Sequence, residues 1–360
     1  MADWTRSMQQ TFEFFEVDPG TWKDKKRLTS VLSCTIRRDA GDATLETANI
    51  QTTEIMNECY VRIYLVTYQD RIRERFPLGT FLVQTPSVAF DGKVKNISLD
   101  AYSPLLELKD RKPDLGYTVL KNHNIMEWVS DLTAQNARAP VVPATGTTNT
   151  LYDNYTAAPD DNWLDYLSSL MSNARYSFSL DELGRILFTP SQRTDAMQPR
   201  WTFSDDNSSI LYPSIQDDYD LYGIPNVIEV IYSGENSNGT PLTLYSRVVN
   251  DDASSPTSTV SRGREVLYRD TSPSISGTPN QGYLDEYAER TLRQMNEIQH
   301  TITYSHGYCP VRVGDCVRLN YERFGLVNQK ARVVTQDITC TSGCVVNETA
   351  MFTTNLWEEE

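Results

Sequence analysis

His306 to Gly325 reads HGYCPVRVGDCVRLNYERFG and carries one histidine and two cysteines, His306, Cys309 and Cys316. Three chemistries compete for it: a metal site, a nucleophile with its base, or a pair of strands that happens to hold sulfur. The pattern favours strands. Gly314 and Asp315 make a turn, and after them Val317, Leu319 and Tyr321 alternate with Cys316, Arg318 and Asn320, the period of an extended chain. Cys309 sits on the preceding turn, just before Pro310.

A structural zinc site takes four ligands, usually as closely spaced pairs. His306 with Cys309 offers one pair, and Cys340 with Cys344, in CTSGC, a looser second. The ordinary habit of free cysteine is to pack as a small apolar side chain in a core. That is the expectation here, with a disulfide across the Cys340–Cys344 turn as the remaining alternative. A Cys–His nucleophile needs an activated thiol and an oriented base. There are three histidines: His123 in KNHN ahead of a helix, His300 where a helix gives way to a strand, and His306. No GxSxG, HExxH or P-loop pattern occurs. The acidic groups of Asp217–Asp220, Asn250–Asp252 and Glu358–Glu360 read as solvated loops and a chain end, and DDYDLYG is too short for a calcium loop of the EF-hand kind. The sequence therefore assigns no catalytic, cofactor-binding or metal-binding residue, and no cofactor is expected.

Outward from this stretch, most of the chain carries strand signals. In YVRIYLV, Val61, Ile63 and Leu65 fall on one face; in NISLDAY, Ile97, Leu99 and Ala101 do. PLGTFLVQTP (Pro77–Pro86) reads as a short strand between turn formers, and Asp91-Gly92 as a hairpin turn. Residues 28–110 thus predict a small antiparallel barrel or sandwich. The period then changes. Ile125, Trp128, Val129 and Leu132 follow helical spacing, with Asn124 placed to cap and Glu127 three residues on. Ala137–Asp161 reads as a loop too rich in Pro, Thr and Ala for a core. A second helix starts near Asp161 with Trp163, Leu167, Leu170 and Met171 on one stripe, and Tyr176–Pro190 gives two strands around a Leu-Gly turn. Strands return at IPNVIEVIYSG, where Ile228, Val230 and Tyr232 share a face opposite Val227 and Ile231. A polar stretch, Val249–Gly282, leads to a helix at Tyr283–Met295, with Leu284, Ala288, Leu292 and Met295 on one side. The expected division is a first β domain at 1–111, an α+β domain at 112–205, a discontinuous second β domain at 206–238 and 299–360, and a small one-helix insert at 239–298.

Composition limits function as well. A net charge of −15 argues against wrapping DNA or docking stably on an anionic membrane. No apolar run is long enough to span a bilayer. The start, MADWTRSMQQTFEFFEVDPG, has no basic segment followed by an apolar one, so no secretory signal is expected. In a bacterial cytoplasm the six cysteines would stay reduced.

The order of three blocks carries a resemblance. They are YVRIYLVTYQDRIRERFPLGTFLVQTP with ISLDAYSPLLELKD, then IPNVIEVIYS with VVNDDASSPTS and RGREVLYRD, then YLDEYAERTLRQM leading into HGYCPVRVGDCVRLNY. In this order the chain resembles the bacteriophage tail (baseplate) hub family, proteins that close the tail tube at its tip. The late cysteines are not among that family's landmarks. The resemblance implies a mainly β fold with α+β inserts: two tube-type antiparallel β-barrel domains and two smaller inserted ones. It implies a homotrimer whose six β domains form a ring adapting a sixfold tail tube to a threefold tip. A tail tube or distal tail protein would lie above, a spike, central fibre or tail lysin below, and a tape measure protein would be a further partner. DNA would pass through during ejection without specific binding, and the protein would reside in the virion after assembly in the host cytoplasm. An enzyme is not expected. Two rivals are a tail-tip cell-wall hydrolase, for which the chain after the second β domain leaves no room, and a host-surface carbohydrate-binding module. Trp128 and Trp163 suit a core better than sugar stacking.

Overall fold

The computed structural model describes residues 2–90, 92–93, 95–206, 210–235, 239–273 and 280–357. Its first hundred residues form seven strands: β1 (Gln9–Val17), β2 (Asp24–Leu28), β3 (Val31–Asp39), β4 (Glu46–Thr52), β5 (Tyr60–Gln69), β6 (Ile72–Phe90) and β7 (Lys95–Tyr102). They pair in the order β3-β4-β7-β6-β5-β1-β2, each pair antiparallel. The expected face of Ile97, Leu99 and Ala101 is buried in β7. In β5 the alternation is different. Every residue from Tyr60 to Thr67 is buried, so Arg62 and Tyr64 lie inside too. Arg62 is tolerated because its Nε donates to Thr80 Oγ1 at 2.9 Å and its Nη1 to Asp24 Oδ1 at 2.9 Å, which is the condition for burying a charge.

The predicted short strand between Pro77 and Pro86 is instead a bent strand of 19 residues. Ile72 to Leu82 pair with β5, and Leu82 to Phe90 pair with β7. Each proline falls where β6 has one neighbour, near a register shift. Such sites accept a residue without an N–H. Phe90 pairs with Lys95 to close the predicted hairpin; Asp91 of the predicted turn lies outside the described residues.

Next come α1 (Leu106–Asp110), β8 (Thr118–Val119), α2 (Ile125–Asn136), β9 (Tyr155–Thr156), α3 (Trp163–Ser172), β10 (Tyr176–Leu180) and β11 (Ile186–Pro190). Asn124 caps α2, accepting from the backbone N–H of Met126 and Glu127, and Asn162 caps α3 through Asp165 N. The apolar stripes meet as predicted: Val129, Leu132, Trp163, Leu167, Leu170 and Met171 share one core with Phe178 and Ile186. Trp128 packs against it, partly buried. The segment predicted as a plain loop contributes as well, since Ala139, Leu151 and Ala157 are buried in the same core. Small and isolated apolar residues carry no period, so their burial does not register in the pattern.

The β10–β11 turn is fastened to the strands before it. The carbonyl of Leu183 accepts from Trp22 Nε1 at 2.8 Å, Thr80 Oγ1 at 2.9 Å and Arg62 Nη2 at 3.2 Å. Gly184 has φ +72°, and a Cβ there would stand 2.7 Å from Thr80 Cβ. Gly184→Ala is therefore expected to cost about 1–3 kcal/mol, read as a lower urea midpoint with unchanged slope; an unchanged midpoint would contradict this anchoring.

The remaining elements are β12 (Trp201–Ser204), β13 (Leu211–Asp218), β14 (Val227–Glu235), β15 (Pro241–Val249), α4 (Thr259–Arg262), β16 (Leu267–Asp270), α5 (Gln281–Met295), β17 (Glu297–Gly307), β18 (Cys316–Tyr321), β19 (Leu326–Thr339) and β20 (Val345–Asn355). β19 pairs antiparallel with β3 and with β18, and β12 runs parallel to β18. The chain forms two compact units, 1–215 with 303–350, and 216–302 with 351–360. In the second unit β14 pairs with both β15 and β16. Leu284, Ala288 and Leu292 of α5 pack on Ile228 and Val230, with Met295 at the margin, the two faces predicted. Among the described residues no helix is long and apolar enough to cross a membrane.

Candidate functional site: a buried charged network

Arg38, Glu46, His306, Gln336 and Glu348 are all buried in the first unit. Strands place them. Arg38 lies on β3, Glu46 starts β4, His306 is near the end of β17, Gln336 is on β19 and Glu348 on β20. Arg38 Nη1 donates to Gln336 Oε1 at 3.0 Å and Nη2 to Leu78 O at 2.6 Å. Gln336 Nε2 donates to Glu348 Oε2 at 2.6 Å and to Val311 O at 3.0 Å. Tyr304 OH donates to Glu348 Oε1. Burial, reinforced by the Glu348 charge, holds the Tyr304 phenol well above its usual range, so it stays a donor.

His306 Nδ1 lies 2.7 Å from Gly307 O. A carbonyl only accepts, so Nδ1 carries a proton. Its other nitrogen is 3.3 Å from Glu348 Oε2. Cys309 Sγ is 3.9 Å from Nδ1, the nitrogen already committed to Gly307, so His306 is not oriented to take the thiol proton. Burial pushes the Cys309 thiol well above its usual range. The pair that His306 and Cys309 form is thus a packing contact, not an activated nucleophile.

The other predicted sulfurs lie elsewhere. All six cysteines are free thiols, so the Cys340–Cys344 disulfide is not formed. Cys340 instead meets Cys34 across the β3–β19 ladder, its N–H donating to Cys34 O at 2.9 Å. The Cys34 thiol and burial together push the Cys340 thiol well above its usual range. Cys316 is buried on β18. Among the described residues no three His, Cys, Asp or Glu side chains converge as a metal site would require. His123 is exposed, with its ring against Trp128.

His300, read from sequence as a boundary residue, has a defined setting in the second unit. Nδ1 is 2.8 Å from Asp217 Oδ2 and Nε2 is 2.9 Å from Thr354 Oγ1. Phe352 stacks on the ring at 5° and Tyr219 lies against it. No signal marked this triplet, since its members are far apart in the chain and each is an ordinary strand residue.

At the other end of the charged network, Glu46 Oε1 accepts from Arg312 Nη2 and lies 3.5 Å from Arg38 Nε. One carboxylate thus faces two guanidinium groups. Arg312 also has Glu182 at 3.9 Å. Arg38, Glu46 and Arg312 open onto a cavity of about 340 Å³ that also touches Ser179, Asp315 and Arg332. Burial raises the Asp315 carboxyl above its usual range.

The fold that carries this network has solved counterparts. A tail protein from Neisseria meningitidis MC58 superposes with a TM-score of 0.58 at 12% identity, covering 95% of this chain and 96% of that one. The fold is that of phage tail proteins. The 43 kDa tail protein of prophage MuSo2 from Shewanella oneidensis agrees, with a TM-score of 0.54 at 9% identity over 94% of this chain and 97% of that one. No family model matches the chain, and no curated protein matches its sequence.

Proposed function

We propose that the chain is a structural component of a phage tail, the baseplate hub. Three copies would form a ring that adapts a sixfold tail tube or distal tail protein to a threefold spike, central fibre or tail lysin, with a tape measure protein as a further contact. Residues 1–111 would supply the first tube-type β domain. Residues 206–238 and 299–360, apart from β14, which pairs inside the insert, would supply the second. The observation that carries the reading is the end-to-end likeness to a tail protein, 95% of this chain against 96% of that one. The location is the virion, after assembly in the host cytoplasm.

The role is non-enzymatic and DNA passes the ring without being held. A ring of three chains, each at −15, repels the phosphate backbone on average. One observation favours the hydrolytic alternative: Asp217, His300 and Thr354 stand in the order acid, base, hydroxyl. The same contacts fit a ring pinned between Tyr219 and Phe352, a structural role. Two measurements on the purified chain separate these readings. Light scattering with electron microscopy is expected to give a trimer with threefold symmetry; a stable monomer at micromolar concentration overturns the hub. Peptidoglycan is expected to remain intact, and cleavage that disappears in Thr354→Ala would establish the hydrolase instead.

A further inference from the structure

We propose that the cavity beside the charged network is a binding site for a small oxyanion, a phosphate or a carboxylate. It lies wholly in the first unit and is bounded by β3, β4, β10, β11, β19 and the Arg312–Asp315 turn. Its volume is about 340 Å³.

Two donors buried beside it are under-used. Arg38 is 1% exposed, yet its Nε has no hydrogen bond among the described residues, and neither has Arg312 Nη1. Arg332, half-buried on β19, lines the same space and forms no ion pair among the described residues. A buried donor left unmade is destabilising unless something accepts from it. Three guanidinium groups face Glu46 and Asp315 on the wall, with Glu182 beside Arg312. Glu46 already serves both Arg38 and Arg312 through one oxygen. Asp315 Oδ2 is occupied by the Arg312 N–H at 2.9 Å. Among the described residues no carboxylate is paired with Arg332, in a chain of net charge −15. Planar guanidinium groups suit the paired oxygens of carboxylate and phosphate. The hydroxyls of Ser179 and Thr189 bond each other at 2.7 Å on the wall, and either can turn to donate. The site does not depend on where the protein resides.

The test uses the full chain and inorganic phosphate as probe. Thermal unfolding is followed in phosphate and in chloride at matched ionic strength and pH, for the wild type and for Arg332→Met. Among the described residues Arg332 has no ion-pair partner to lose, so the variant is expected to fold. Phosphate is expected to raise the wild-type midpoint above the chloride control. By calorimetry, Arg332→Met is expected to bind it about tenfold or more weakly, the loss of one charge-assisted contact. Acetate separates the sources: stabilisation by acetate as well means the site takes carboxylates, and stabilisation by phosphate alone means it takes phosphate. Equal midpoints in phosphate and chloride overturn the site, and so does a phosphate effect of the same size in Arg332→Met.

Discussion

Glu46→Gln is expected to lower stability by about 3–5 kcal/mol, the cost of leaving buried charge uncompensated. Glu46 is 6% exposed and faces Arg38 and Arg312 with the same oxygen. Glutamine keeps the shape but removes the charge that lets two guanidinium groups stand together. Arg38 keeps Gln336 and Leu78, and Arg312 keeps Glu182 at 3.9 Å. Burial and the nearby Arg312 already weigh against the charged form of Arg38, so the variant adds to a strain that exists. Replacing all three together, Arg38→Met and Arg312→Met with Glu46→Leu, should recover much of the loss, because an apolar cluster needs no partner. The comparison is Asp337→Ala. Asp337 pairs with Arg37 at 3.2 Å on the surface, with both side chains about half exposed, and its loss should cost under about 1 kcal/mol. Urea unfolding of the three variants beside the wild type decides. Equal effects from Glu46→Gln and Asp337→Ala would mean that the network contributes no more than an ordinary surface pair.

Asn296→Ala is expected to cost about 2–4 kcal/mol, from three buried hydrogen bonds at roughly 0.5–1.5 kcal/mol each. Asn296 is fully buried at the end of α5. Its Nδ2 donates to Pro225 O at 3.1 Å and Leu292 O at 2.9 Å, and its Oδ1 accepts from Thr257 Oγ1 at 2.8 Å. Thr257 hydrogen-bonds Ser255, which Asn250 holds through its amide. Asn226 closes the same region by donating to Thr257 O and Arg264 O while accepting from Val266 N. The polar run from Asn250 to Ser258 is thus folded around side-chain amides instead of an apolar core. Alanine leaves Pro225 O without its partner, while Leu292 O keeps the backbone N–H of residue 296 and Thr257 keeps Ser255. Hydrogen exchange should speed at the β14 and α5 amides. Unchanged protection there, with an unchanged urea midpoint, would show that water replaces the amide without loss.

What the sequence disclosed follows from distance along the chain. The stripes of α2, α3 and α5, the Asn124 cap and the β10–β11 turn each depend on residues within one or two turns of each other, and each was legible. The inward face of β7 was legible for the same reason. In β5 the face of Val61, Ile63 and Leu65 is buried, but the burial of Arg62 and Tyr64 was not legible, because what permits it is Thr80 and Asp24. The length of β6 was hidden by Pro77 and Pro86, which break strands flanked on both sides but not one flanked on a single side at a time. The charged network was invisible for a stronger reason. Arg38 and Gln336 lie 298 positions apart, and Arg312 and Glu46 lie 266 apart. In a strand an arginine or glutamate signals the outer face until its partner is known. His306 drew notice for its sulfur neighbour, whereas its actual partner, Glu348, carried no signal.

The ladder between β3 and β19, with Asp39 opposite Thr335 and Thr35 opposite Thr339, sets a timetable for synthesis. A ribosome adding about 5–20 residues per second needs roughly 15–60 s to make the intervening three hundred. Throughout that interval the emerging chain exposes an unfinished sheet margin, with Cys34 and Ile36 uncovered. Translation arrested before Leu326 should therefore leave the amino-terminal strands sensitive to protease and bound by holding chaperones, and release of the full chain should end both.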